Sequence, residues 1–194
     1  MDQTSLERIL ERARRHDPAA LAALVDAYSD RLYGLLYRLT SSRETAEDLL
    51  QETFLRVVRM IDRYDPSGRF EAWLFRIAAN LARDHARQRR RRGTPAALDT
   101  VVEPPGGTPA MAAPGVSPAE HLLQGELQER LAVALARLSV ADREILLLRH
   151  YSELSFREIA DLLEVPLGTA LARAHRALQR LRADMTREGM AHDE

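Results

Sequence analysis

The sequence predicts an all-α protein made of two helical domains joined by a flexible linker. Apolar residues recur at helical spacing on both sides of the middle of the chain, no segment alternates as a strand does, and Pro and Gly are concentrated between them. The breakers of this central stretch are Gly93, Pro95, Pro104, Pro105, Gly106, Gly107, Pro109, Pro114, Gly115 and Pro118. Neither a helix nor a strand tolerates that density. We expect domains at 1–92 and 120–185, a linker at 93–119 and a tail at 186–194.

The composition excludes several classes of protein. Hydrophobic residues make up 45% of the 194 residues and charged residues 29%, enough to form buried cores. The absence of cysteine excludes disulfides, thiolate zinc sites and thiol nucleophiles. The polar N-terminus does not resemble a signal peptide, and no apolar run is long enough to cross a membrane. We therefore expect a cytoplasmic protein that does not insert into membranes.

The N-terminal domain is predicted to be helical throughout. One amphipathic pattern consists of Leu21, Leu24, Tyr28, Leu32, Leu35 and Leu36. Ser41 and Glu44 have the spacing of a capping box, and the apolar stripe after them consists of Ala46, Leu49, Leu50, Phe54, Val57, Val58 and Ile61. The segment 65–68 breaks that helix. A further helix is expected from near Phe70 into the arginines at 89–92.

The C-terminal domain is predicted to contain a helix-turn-helix. A helix is expected at about 120–138, and Ser139 is a plausible N-cap for the next one. Ser155 and Glu158 form a second capping-box pattern, which opens a short helix through Leu163. After a tight connection, a longer helix is expected from Leu167 to about Met185. A short helix, a turn and a longer helix are the layout of a DNA-binding helix-turn-helix.

The helix after Gly68 concentrates the positive charge of the chain. Residues 63–92 hold 9 Arg and 3 acidic residues, whereas the whole chain has a net charge of −1. Its predicted buried face consists of Phe70, Trp73, Leu74, Ile77 and Leu81. Another face carries Arg76, Asn80, Arg83, Arg87 and Arg91, a pattern that favours contact with nucleic acid over a merely solvated face. Because Trp73 is in register with the apolar stripe, core packing is favoured over stacking on an unpaired base.

No residue pattern predicts an enzyme or a cofactor. The histidines show no paired metal-ligand spacing, and no HExxH, GxSxG or Gly-rich phosphate loop occurs. His175 is expected to face the helix surface.

Two ordered motifs resemble the extracytoplasmic-function (ECF) sigma factors of the sigma-70 superfamily. The segment AEDLLQETFLRV at 46–57 is similar to the polymerase-binding helix of region 2, and FEAWLFRIAANLARDH at 70–85 is similar to the helix that reads the promoter −10 element. LSFREIADLL at 154–163, followed by VPLGT at 165–169, resembles the helix-turn-helix of region 4, which binds the −35 element. The resemblance covers about 20–92 and 120–183.

The resemblance implies roles for particular residues. It implies that Asp48, Gln51, Glu52 and Leu55 bind the β′ clamp of core RNA polymerase, and that region 4 meets the β flap. It implies that the loop at 65–69, with Arg69, and the face formed by Arg76, Asn80, Arg83 and Arg87 contact −10 DNA. On the second domain it implies −35 contacts by Thr169, Arg173, Arg176 and Arg180.

The recognition helix departs from the family pattern. Leu171, Ala172, Leu178 and Gln179 stand where polar or basic residues are common, and Glu164 stands at a turn position where Gly is common. Weak or shape-based reading of DNA by region 4 is favoured over a protein contact at Leu171.

The resemblance further implies promoter DNA as a partner, no cofactor, and control by an anti-sigma protein. We expect a sigma factor that starts transcription and is not an enzyme, with an acidic linker that partly mimics nucleic acid. The alternatives are a free-standing helix-turn-helix regulator, which leaves the 48–55 pattern without a role, and an all-α enzyme or ligand-binding bundle, which has no catalytic group to support it.

Overall fold

The computed structural model describes residues 3–65, 69–92, 118–152 and 154–190, and within these ranges it contains only helices and short connections. The helices are α1 (Gln3–Ala13), α2 (Pro18–Thr40), α3 (Arg43–Met60), α4 (Phe70–Arg91), α5 (Pro118–Ala136), α6 (Val140–Ser152), α7 (Phe156–Leu163) and α8 (Leu167–Met190). A 3-10 turn, Ile61–Arg63, follows α3. The predicted all-α fold is confirmed. We call α1–α4 the N-terminal half and α5–α8 the C-terminal half.

The connection between α2 and α3 corrects one predicted cap. Ser41 lies in the left-handed region with φ 54°, where its N–H donates to the carbonyl of Tyr37 and ends α2. The N-cap of α3 is instead Ser42, whose hydroxyl accepts from the N–H of Thr45. The prediction of a capping box at Ser41 and Glu44 was wrong, and the N-cap lies one residue later, because two adjacent serines serve the ends of two different helices.

The N-terminal half is built around α2. Its apolar face, including the fully buried Leu24 and Leu32, packs against α3 and α4. Phe75 and Leu74 of α4 are completely buried in this core, and Val57 of α3 is buried in it as well. This core buries one side of α4 and leaves Arg76, Asn80 and Arg87 of the same helix exposed.

The C-terminal half contains the predicted helix-turn-helix. Ser139 caps α6 by accepting from the N–H of Asp142 at 3.2 Å, as predicted. Ile159 of α7 is fully buried, and the small residues Ala170, Ala174 and Ala177 of α8 pack beneath α6 and α7. The last helix extends to Met190, beyond the predicted end near Met185.

The two halves share one hydrophobic cluster. Helix α6 packs on α2 and α4, and α7 also touches α4. The predicted linker at 93–119 lies outside the described residues up to 117, and its last residues belong to α5. The domain boundaries therefore stay predictions.

Candidate nucleic-acid interface

One face of α4 is buried and the opposite face is lined by the predicted basic side chains. Arg76, Asn80 and Arg87 are exposed along it, and Arg87 lies 3.7 Å from Asp84 on the same helix. Arg83 occupies the same row, but only 21% of its side chain is exposed. The helix thus brings four of the five predicted −10 residues into one row, with one member partly covered.

Aromatic rings at the start of α4 fix its position. Trp73 lies 5.2 Å from the ring of Tyr64 and 5.7 Å from that of Phe70, and Tyr28 packs on Phe70 at 5.7 Å. Burial, helped by the nearby charge of Asp65, raises the pKa of the Tyr64 phenol. Trp73 is therefore a packing residue of this cluster, as the sequence indicated, and it anchors the helix rather than projecting from it.

Arg83 is engaged by the C-terminal half. Its guanidinium donates to Asn80 Oδ1 at 3.0 Å and to the carbonyl of Leu162, and its Nε lies 3.9 Å from Glu144 Oε1. Among the described residues, neither of these two buried atoms, Arg83 Nε and Glu144 Oε1, finds a hydrogen-bond partner. Burial raises the pKa of Glu144, although the charges of Arg83 and Arg173 offset part of that effect. The Glu144 carboxylate thus faces both predicted DNA-contacting helices.

Arg69, at the N-terminal end of α4, faces a second carboxylate. Its guanidinium lies 3.7 Å from Glu158 Oε2 on α7. Burial alone would raise the pKa of Glu158, but hydrogen bonds from Ser155 and the charges of Arg69 and Arg76 lower it below its ordinary value. This carboxylate is also the one that closes the capping box of α7, with Ser155 N at 2.7 Å. The predicted capping box of Ser155 and Glu158 is confirmed. The same Glu158 carboxylate also links the two halves through Arg69, a contact that the sequence did not predict.

An exposed ridge on α3 carries the residues predicted to meet polymerase. Asp48 and Gln51 are exposed, and Leu55 exposes 50% of its surface. Glu52 lies among them and binds Arg56 at 2.9 Å, one helical turn away. The four predicted residues therefore form one continuous surface, with an apolar side chain beside two acids.

The predicted −35 residues follow α8, but they differ in what surrounds them. Arg180 lies 3.6 Å from the buried Asp142 of α6, and Arg173 is half-buried beside Glu144. Arg176 is exposed and Thr169 is half-buried. Between α7 and α8, Glu164 adopts φ 55° in the left-handed region that favours glycine, which explains why this turn position suits Gly.

The described residues contain neither a group of acids and histidines that could hold a metal ion nor a helix long and apolar enough to span a membrane. His175, predicted to face the surface, is exposed and lies 2.9 Å from Gln179.

Sequence comparison assigns both halves to one family. Residues 24–92 match sigma-70 region 2 and residues 128–181 match sigma-70 region 4. The chain is 32% identical over 183 residues to the ECF RNA polymerase sigma factor SigW of Bacillus subtilis, covering 93% of this chain and 96% of that protein. The chain belongs to the ECF sigma factors of the sigma-70 family. RNA polymerase sigma factor CarQ of Myxococcus xanthus is 38% identical to this sigma factor over 173 residues, covering 89% and 93% of the two chains.

Solved structures have the same fold. CnrH, in complex with the cytosolic domain of CnrY, superimposes on this sigma factor with a TM-score of 0.62 at 23% identity, covering 93% and 96% of the two chains. RpoE of Bartonella quintana, in complex with the anti-sigma factor NepR, gives a TM-score of 0.65 at 23% identity, covering 85% and 96%. These structures confirm the predicted fold. The family resemblance inferred from the sequence is confirmed by the two family matches and by the relatives similar in sequence.

Several residues that shape this interface of the sigma factor were missed by the sequence reasoning. Glu144 and Tyr151 lie within an ordinary amphipathic pattern that gives no sign of their contacts with α2 and α4. Gly34 offered a signal, since a glycine inside a strongly helical segment often marks a close approach. A Cβ at Gly34 would lie 2.8 Å from Cε1 of Tyr151.

Proposed function

We propose that this sigma factor binds core RNA polymerase through the α3 ridge and directs it to promoters with a −10 and a −35 element. The observation that carries the proposal is the row of polar side chains on α4, on the side of the helix that the largely buried apolar residues leave exposed. Such a helix presents guanidinium groups to phosphates and an amide to a base edge without disturbing its own core. The protein acts as a transcription initiation factor, and no enzymatic step is assigned to it.

The ridge of Asp48, Gln51, Glu52 and Leu55 is the proposed polymerase-binding surface. An exposed leucine bordered by carboxylates suits a partner helix that is basic with an apolar seam, such as that of the β′ clamp. Arg56 already neutralises Glu52 at 2.9 Å, so Asp48 is the acid left to attract such a partner.

The −10 element is assigned to Arg69, Arg76, Asn80, Arg83 and Arg87. Arg76 and Arg87 are exposed and point outward for backbone phosphates, and Asn80 stands between them in position to read a base. Unstacking costs a few kcal/mol per base, so these contacts must offset the free energy of opening the −10 bases.

The −35 element is assigned to Thr169, Arg173, Arg176 and Arg180. Arg176 is exposed, whereas Arg173 and Arg180 face acids of α6. The apolar start of the recognition helix, with Leu171 45% exposed, supports weak base reading by this half and leaves most discrimination to α4.

The domain organisation and the partners complete the proposal. Residues 1–92 form region 2, 93–119 the linker, 120–185 region 4 and 186–194 the tail. In the family the linker passes toward the active-site channel of the polymerase, and its acidic composition here suits that path. By analogy with the NepR complex of RpoE, an anti-sigma protein is the proposed inhibitor, and the cytoplasm, where polymerase works, is the proposed location.

Co-elution with bacterial core RNA polymerase tests the proposal. The Asp48→Arg/Glu52→Arg double variant is expected to lose co-elution, because it places positive charge opposite a basic partner. Its matched control is Asp26→Arg/Asp30→Arg, which reverses an exposed pair at the same spacing on α2 and should co-elute normally.

The outcomes separate the candidate functions. Co-elution of the native chain and the control, but not of the ridge variant, supports the proposed surface. Failure of the native chain to bind core would contradict the proposal and favour a regulator that binds DNA alone.

A further inference from the structure

The packing of α8 puts small residues inside and leaves leucines outside. Ala170, Ala174 and Ala177 are buried, with at most 3% of their surface exposed, whereas Leu171 exposes 45% and Leu178 exposes 54%. An amphipathic helix ordinarily turns its large apolar side chains toward the core. Here the alanines pack α8 against the rest of the C-terminal half, so these two leucines are available for a contact outside the chain.

The exposed positions in the first two turns of α8 carry no hydrogen-bonding side chain. Thr169 and Arg173, the polar residues of these turns, are half-buried. Exposed polar side chains begin in the next turn, with His175 and Arg176. The exposed positions between 167 and 173 are Leu167, Gly168, Leu171 and Ala172. The end of α8 that enters the groove in a helix-turn-helix is therefore apolar where it is most exposed.

The chemistry of the major groove gives an apolar side chain one group to read. Each base pair presents its own set of donors and acceptors, and thymine adds a methyl group at C5. Leu171 has no donor or acceptor to offer a base, but its side chain can cover the methyl group of a thymine. Gly168 and Ala172 beside it are small, and a Cβ at Gly168 would meet nothing within 4 Å, so a base edge can approach this side of α8.

We propose that Leu171 is a specificity-determining residue of the −35 contact, which selects a T·A pair by covering the C5 methyl group of its thymine. This inference rests on the proposed function, because it requires α8 to lie in the major groove. Charge favours DNA over an apolar protein surface as the occupant. Arg176 is exposed on the next turn. Arg180, although 3.6 Å from Asp142, keeps 61% of its side chain exposed, so cations for phosphates follow the leucine along the helix.

The size of the expected effect follows from the burial of one small apolar group. Loss of a thymine methyl that contacts Leu171 should weaken promoter binding by roughly fourfold, which corresponds to about 0.8 kcal/mol. A bidentate hydrogen-bonded pair discriminates between bases by roughly fivefold to more than a hundredfold. A methyl contact is thus a modest reader, in keeping with the weak base reading proposed for this half.

Replacement of thymidine by deoxyuridine tests the contact, because deoxyuridine keeps the hydrogen-bonding edge and lacks only the methyl group. The holoenzyme, formed by the full chain and bacterial core RNA polymerase, first selects −35 sequences from promoters randomised in that region, and T·A pairs should be enriched. Each thymidine of the selected element is then replaced in turn by deoxyuridine. At one position at least, the affinity should fall by roughly fourfold. A C·G pair placed there should bind better when its cytosine carries a 5-methyl group.

Two leucine substitutions show whether α8 reads the methyl group at Leu171. Leu171→Ala should bring the ratio of thymidine to deoxyuridine affinity to about one at the position that the leucine covers. Leu178→Ala is the matched control, since it makes the same change on the same side of α8 at 54% exposure, about 10 Å further along the helix. Its ratio should equal that of the native chain. Both leucines are exposed, so both variants should fold.

Two results overturn this inference and leave the proposed function standing: an affinity ratio of about one at every thymidine of the −35 element, or a ratio that Leu171→Ala leaves unchanged. If the ratio is unchanged and Leu171→Ala also weakens binding to core polymerase, the leucine belongs to a protein contact. A holoenzyme that binds no promoter of the library contradicts the proposed function and this inference together.

Discussion

Removal of one hydroxyl at Ser155 is expected to weaken the whole helix-turn-helix. Ser155 Oγ accepts from the N–H of Glu158 at 3.2 Å and lies 2.7 Å from its Oε2, so Ser155→Ala loses both interactions. Loss of an N-cap costs about 1 kcal/mol, and α7 is only 8 residues long, with little else to start it. The free energy of unfolding should therefore fall by about 1 kcal/mol, which lowers the midpoint of thermal unfolding by about 2–4 °C in a chain of this size.

Ser29→Ala is the matched control for that experiment. Ser29 Oγ donates to the Val25 carbonyl at 2.6 Å inside α2, a position where alanine is the better helix former. Its unfolding free energy should be unchanged or slightly higher. Urea and thermal unfolding followed by circular dichroism measure both variants. Equal losses in the two would refute the assignment of the Ser155 hydroxyl as the cap that holds α7.

Three further outcomes are expected. The pKa of Glu158 is lower in the folded chain than its ordinary value of 4.5, so the ionised carboxylate stabilises the fold above that value. This stabilisation is lost as the pH falls through the folded pKa. The loss of unfolding free energy caused by Ser155→Ala should therefore be smaller at about pH 3 than at about pH 7, as measured by urea titrations. Ile159→Ala should lose roughly 2–5 kcal/mol of unfolding free energy, since Ile159 is fully buried, whereas Leu171→Ala, at 45% exposure, should stay within about 0.5 kcal/mol. Arg76→Gln should reduce the salt dependence of promoter binding by the holoenzyme by about one unit of log–log slope, and Arg8→Gln, exposed on α1, should leave the slope unchanged.

The helices were predictable because their signals are local. The spacing of apolar residues placed α4 from Phe70 onward, and the Ser155 pattern placed the start of α7. The error at Ser41 has the same local origin, since two adjacent serines offer equivalent hydroxyls and only the three-dimensional path of the chain decides which one caps α3.

The relation between the halves could not be read from any local pattern. The row of arginines on α4 is visible in the sequence, but the burial of Arg83 depends on where α6 and α7 lie. The sequence around Glu144 contains no pattern that predicts its contact with Arg83. The assignment of residues to DNA and polymerase contacts rests on the family resemblance and stays a prediction until the variants are measured.

The contact between Arg31 and the carbonyl of Tyr151 joins residues 120 positions apart, and this separation orders events during synthesis. Helices α1–α4 pack among themselves through contacts that involve no residue beyond α4, so they can fold while the later helices are still being translated. Docking of α6 and α7 must wait for the rest of the chain and requires closure of a long loop. In a nascent chain the arginines of α4 are therefore exposed before α6 and α7 are available to pack on Arg83. A nucleic acid that binds α4 at this stage would compete with the docking of α6 and α7.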